Sequence, residues 1–150
     1  MTFAYNKLYL LTAQKVLGSM LDYAVNDLHY TLNDFYKKFL DSQYSLLFAH
    51  GSPLVTVGCS GIELAWKVLD NDDYEVDNRL YKEGKSVEYW CGYSLAYFQC
   101  FSNLSFQDIE ALIPISEIEL MYYPYHEMDI TQFVDAMEEL YNDRKKQTNL

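Results

Sequence analysis

Between Lys85 and Arg144 the chain contains neither lysine nor arginine, yet eleven carboxylates fall in that interval: Glu88, Asp108, Glu110, Glu117, Glu119, Glu127, Asp129, Asp135, Glu138, Glu139 and Asp143. These eleven equal the whole formal net charge of -11, and the remainder of the chain is balanced. A field of one sign repels phosphate backbones and attracts basic protein surfaces. The missing bases therefore argue against direct nucleic-acid binding and for a cationic protein partner. The competing reading is solubility, because many soluble proteins are acidic for that reason alone.

Other absences narrow the field. No apolar run approaches the roughly 18 residues that a membrane-spanning helix needs. No basic segment followed by an apolar run opens the chain, so no secretory leader is expected and the expected compartment is the cytoplasm, with no membrane partner. The cysteines Cys59, Cys91 and Cys100 are odd in number, which argues against a disulfide framework and for buried thiols. Cys91 and Cys100 stand nine residues apart, on opposite faces of a helix, so within that helix they share neither a metal nor a disulfide. Both the phosphate-binding Gly-x-x-x-x-Gly-Lys loop and the dinucleotide fingerprint are missing. Gly58-Cys59-Ser60-Gly61 lacks the five-residue spacing of a nucleophile elbow, and a helix cap accounts for Ser60.

The acidic run Asp70-Asn71-Asp72-Asp73-Tyr74-Glu75-Val76-Asp77 fails as a calcium loop in both registers. Starting at Asp70 places Tyr74 at position 5, and starting at Asp73 places Asn78 where glycine is required. No metal and no cofactor are expected. Of the histidines, His29 and His50 fall at helix ends, where capping or surface roles are the default. His126-Glu127-Met128-Asp129 sets a histidine between carboxylates, so a small hydrolase or transferase using His126 with Glu127 or Asp129 is the alternative to a binding protein. Asp129 is also explained as a helix cap, and non-catalytic is the favoured reading.

What is present is helical and aromatic. The 150 residues suit one domain, and they include fifteen tyrosines, eight phenylalanines and two tryptophans. Tyrosine joins apolar area to a hydroxyl that can stay wet, so it serves core edges and interfaces alike. Leu10, Ala13, Leu17, Met20, Ala24 and Leu28 recur at three and four residues and predict a helix from about Lys7 to Leu28. Thr31 with Asp34, Ser60 with Glu63, Ser86, Ser105 with Asp108, Ser116 and Asp129 mark further helix starts. Residues 43–49 read as a short helix stopped by Gly51-Ser52-Pro53. The β-prone Leu54-Val55-Thr56-Val57 has no pairing partner and is expected as a short strand or an extended linker. Residues 70–85 read as an acidic loop inside the domain. The short helices on either side of Pro114 have a helix-turn-helix outline, but they carry no base to meet phosphate. The fold class expected is all-α, one compact domain of about seven helices.

Trp90, Tyr93 and Tyr97 share one face of the mid-chain helix, which is either a core seam or the seam of a homodimer.

The runs Glu88-Tyr89-Trp90-Cys91-Gly92-Tyr93-Ser94-Leu95-Ala96-Tyr97-Phe98-Gln99, Ser105-Phe106, His126-Glu127-Met128-Asp129-Ile130 and Ser60-Gly61-Ile62-Glu63-Leu64-Ala65 are spread over both halves of the chain. In them the chain resembles a family of small acidic all-α bacterial proteins found in mobile-element and toxin–antitoxin neighbourhoods. The resemblance implies a regulatory or inhibitory role and transfers no catalytic residue.

The expected function is that of an acidic, non-catalytic inhibitor, antitoxin-like or of the phage type that blocks a nucleic-acid-guided nuclease. It would occupy a basic surface where the partner handles nucleic acid or nucleotides. The residues expected to carry the contact are Asp70, Asp72, Asp73, Glu75, Asp77, Glu117, Glu119, Glu138, Glu139 and Asp143.

Overall fold

A computed structural model describes residues 3–71 and 86–148, and within them the protein is helical with no strand. The first periodic stripe forms a 3₁₀ turn, Lys7–Tyr9, and then α1, Leu10–Asp22. A π-helical turn, Tyr23–Asp27, follows, in which the Leu28 amide reaches back to the Tyr23 carbonyl at 3.0 Å. His29 then adopts a left-handed φ of 66°, and the Tyr30 amide closes on the Ala24 carbonyl at 3.0 Å. His29 thus ends the first helical segment through its backbone, the role its place in the sequence suggested.

α2 (Leu32–Asp41) begins where the Thr31 hydroxyl accepts the Asp34 amide at 3.1 Å. α3 (Gln43–Ala49) stops at Gly51, whose φ of 75° and crowding against the Tyr5 ring leave no room for a Cβ. The β-prone segment 54–57 is neither a strand nor an extended linker, because Pro53–Thr56 form a short helix, α4. Proline at the first helical position presets the backbone, Val55 and Thr56 turn inward, and the Thr56 hydroxyl donates to the Ser52 carbonyl at 2.9 Å. With no neighbouring strand to pair with, local helical hydrogen bonds win. α5 (Gly61–Val68) starts where Ser60 accepts the Glu63 amide at 3.1 Å.

α6 (Val87–Ser102) is the central element. Its cap, Ser86, accepts the Tyr89 amide at 3.0 Å and donates to the Asp22 carboxylate at the end of α1. The most extensive helix–helix contact in the described residues is α1 against α6. Glycines set that approach: a Cβ on Gly92 would stand 2.7 Å from the Gly18 Cα, and one on Gly18 would stand 2.8 Å from the Tyr89 carbonyl oxygen. The backbones meet almost without side chains between them, and Leu17, Met20, Leu21, Leu95 and Ala96 close around the crossing, fully buried. Below it, the Phe106 ring meets Phe39 at 5.2 Å and Phe48 at 5.7 Å between centroids. Each such buried side chain contributes about 1.5–3 kcal/mol.

The other side of α6 meets α8 (Ile115–Tyr125) and α9 (Ile130–Thr148). Trp90 lies edge-on to Tyr122 and to Phe133, with centroids 5.8 and 5.1 Å apart, and Tyr97 packs on the same core. Trp90 and Tyr97, both half-buried, thus pack on the core of the chain, while Tyr93 stacks on Tyr89. α7 (Phe106–Leu112) is capped by Ser105, which accepts the Asp108 amide at 3.0 Å. α8 starts at Ile115, one residue before the Ser116 start read from the sequence. The Glu110 carboxylate supplies its cap from α7 by accepting the Ile115 amide at 2.8 Å. Asp129 opens α9, accepting both the amide and the hydroxyl of Thr131, at 2.9 and 2.8 Å. Nine α-helices in the described residues thus share one core, close to the expected number.

Candidate acidic protein-binding site

α8 is a ridge with a groove on each side. Glu117, Met121 and Tyr125 recur every fourth residue and face α9, where Ala136, Glu139, Leu140 and Asp143 follow at three- and four-residue spacing. The groove between them measures about 410 Å³. Its floor is apolar, from Met121, Tyr125, Ala136 and Leu140, and its rim is acidic.

The rim carboxylates are not equivalent. Glu117 holds Arg144 with both oxygens, at 3.0 and 2.8 Å, and the same guanidinium donates to the Leu112 carbonyl at 2.6 Å. That bidentate pair ties the end of α9 to the α7–α8 corner and leaves Glu117 already neutralised. Glu139 and Asp143 are exposed and have no ion-pair partner among the described residues.

The remaining candidates lie elsewhere. Glu119 sits on the opposite flank of α8, where it lines two recesses together with Glu88 of α6. Burial raises the Glu119 pKa above the usual carboxylate range, and the nearby Glu88 charge raises it further. Glu138 lines a third recess with Phe98, Tyr141 and Lys145. Asp70 is exposed just after α5, with a left-handed φ of 55°. Asp72, Asp73, Glu75 and Asp77 lie outside the described residues, as does the acidic loop beyond position 71. The structure therefore gathers Glu117, Glu139 and Asp143 and sets Glu119 and Glu138 on separate faces. Sequence reasoning missed Glu88 and the apolar floor. For the floor a signal was there: Glu117, Met121 and Tyr125 stand four residues apart, on one face of a helix.

His126 caps the end of α8 on the surface. Its ring stacks on Tyr122 at 4.1 Å, and its Nδ1–H donates to the Tyr122 carbonyl at 2.7 Å. The Glu127 carboxylate stands 3.7 Å from Nε2, beyond hydrogen-bond range, and Asp129 is occupied by Thr131. None of the recesses described above is lined by these three residues. All three thiols are buried and have pKa values raised by that burial. Among the described residues no three metal-ligating side chains form a group, and no helix is long and apolar enough to cross a membrane.

Comparison with protein-family models, with curated proteins and with solved structures finds no match for this chain.

Proposed function

We propose that this is a non-catalytic, acidic protein-binding inhibitor of the cytosol that seats a cationic segment of its partner in the α8–α9 groove. The observation that carries this reading is the pairing of an apolar floor with the unneutralised carboxylates Glu139 and Asp143. An apolar floor supplies affinity, and a rim of one sign selects the partner and speeds its approach. A basic surface that handles nucleic acid or nucleotides has the complementary charge, and the acidic helices would stand where phosphates otherwise lie. The role is that of an antitoxin or of an inhibitor of a nucleic-acid-guided nuclease.

The test is a titration of the neighbouring gene product against the protein at rising salt, repeated with Glu139→Lys and Asp143→Lys combined. Both positions are exposed, so the fold is retained. Affinity should fall with salt, and the double variant should lose at least about tenfold, which corresponds to about 1.4 kcal/mol. No binding at all, or binding indifferent to both salt and charge reversal, would overturn the proposal.

A further inference from the structure

The other flank of α8 carries large apolar side chains that nothing in the described chain covers. Leu120 is 67% exposed and Tyr123 is 72% exposed, one helical turn apart. Beside them, in one recess with Val87, stand two carboxylates from different helices, Glu88 of α6 and Glu119 of α8. No cation among the described residues pairs with either, and the one side chain seen to donate to Glu88 is the neutral amide of Asn26 at 3.4 Å. The face thus joins exposed apolar area to two carboxylates that no cation among the described residues pairs with.

We propose that this α6–α8 face docks an amphipathic, arginine-bearing segment of a protein partner. Charge complementarity fixes the sign of the occupant, and the geometry favours arginine over lysine. A guanidinium presents several donors in one plane, enough to serve carboxylates on two helices together, and its flat face stacks on an exposed tyrosine ring. Leu120 and Tyr123 bury against the apolar side of the segment and anchor it. Convergence of Glu88 and Glu119 is unfavourable in the free protein, since two like charges face each other across the recess. A cation between them removes that repulsion, which adds to the burial that chiefly raises the Glu119 pKa. The surface is separate from the α8–α9 groove and shares with it only the sign of the partner's charge.

A short amphipathic helical peptide with leucines and arginines on one face, titrated into the full isotope-labelled chain and followed by amide NMR, tests the inference. Two companion peptides replace every arginine by lysine or by glutamate. Saturable shifts should appear at Glu88, Glu119, Leu120 and Tyr123, with the lysine peptide several-fold weaker and the glutamate peptide silent. Leu120→Ser with Tyr123→Ser, at exposed positions that leave the core intact, should weaken the arginine peptide at least about tenfold. Shifts confined to Glu139 and Asp143 would overturn this inference while leaving the α8–α9 reading in place. Equal binding of the lysine peptide, or binding indifferent to the serine pair, would overturn it as well.

Discussion

Glu110 performs a task that its neighbours in sequence do not suggest. It reaches from α7 to accept the Ile115 amide, and its half-buried carboxyl has a pKa raised by desolvation, an effect that the hydrogen bond only partly offsets. A carboxyl with a raised native pKa binds its proton more tightly in the folded chain than in the unfolded one. Between the unfolded value of about 4.3 and the raised native value, folding stability therefore falls as pH rises, and above that window it levels off. Glu119 contributes with the same sign. Glu110→Gln keeps an oxygen for the Ile115 amide and should flatten this dependence. Glu110→Ala loses the cap and should cost about 1 kcal/mol at neutral pH. Urea unfolding of the two variants on both sides of the window checks this, and an unchanged pH slope in the glutamine variant would refute it.

The cysteines make a second argument at the same scale. Cys59, Cys91 and Cys100 are all buried, and desolvation disfavours each thiolate, which is the reactive form. A thiol reagent added to the native protein should therefore label on the timescale of unfolding, and all three sites should react at once in denaturant. Fast labelling of the folded chain would show that one of these pockets opens.

Among the elements, the α1–α6 crossing rests on Gly18 and Gly92. Replacing glycine by alanine inside an exposed helix normally gains about 1 kcal/mol of helix propensity. Here the added methyl at position 92 meets backbone atoms of α1, which cannot rotate away, so the clash wins. Gly92→Ala should destabilise by about 1–3 kcal/mol, read as a lower denaturation midpoint with unchanged helical content at low temperature. The physics of individual elements also explains what the sequence could and could not reveal. Helix starts at Thr31, Ser60, Ser86, Ser105 and Asp129 were legible because a cap is a local bond, made between residues two or three apart. The start of α8 was not, because its cap comes from another helix. α4 was misread because Val and Thr carry a β preference that needs a partner strand to be realised. The candidate site followed the same rule: the carboxylates of Glu117, Glu139 and Asp143 were visible, but the Arg144 bridge and the apolar groove they frame depend on how α8 and α9 pack.

At the scale of the whole molecule, the missing bases act on stability as well as on recognition. Over residues 86–143 the carboxylates have no lysine or arginine among them, and the one lysine or arginine paired with them in the described residues is Arg144, on Glu117. A compact chain of net charge -11 repels itself, and unfolding relieves part of that repulsion by moving like charges apart. Salt screens exposed charges beyond roughly 10 Å at about 0.1 M, so moderate salt should relieve the folded state more than the unfolded one. The melting temperature should rise on going from low to moderate sodium chloride, by about 2–4 °C for each ~1 kcal/mol of repulsion removed in a chain of this size. Scanning calorimetry at several salt concentrations measures this directly, and a melting temperature that falls with salt would mean that attractive pairs outweigh the repulsion. The same screening weakens a cationic partner's grip, so the conditions in which the free protein is most stable are those in which its proposed complex is weakest. Binding of the proposed cationic partner would offset this charge repulsion, and complex formation should raise the melting temperature most where salt is lowest.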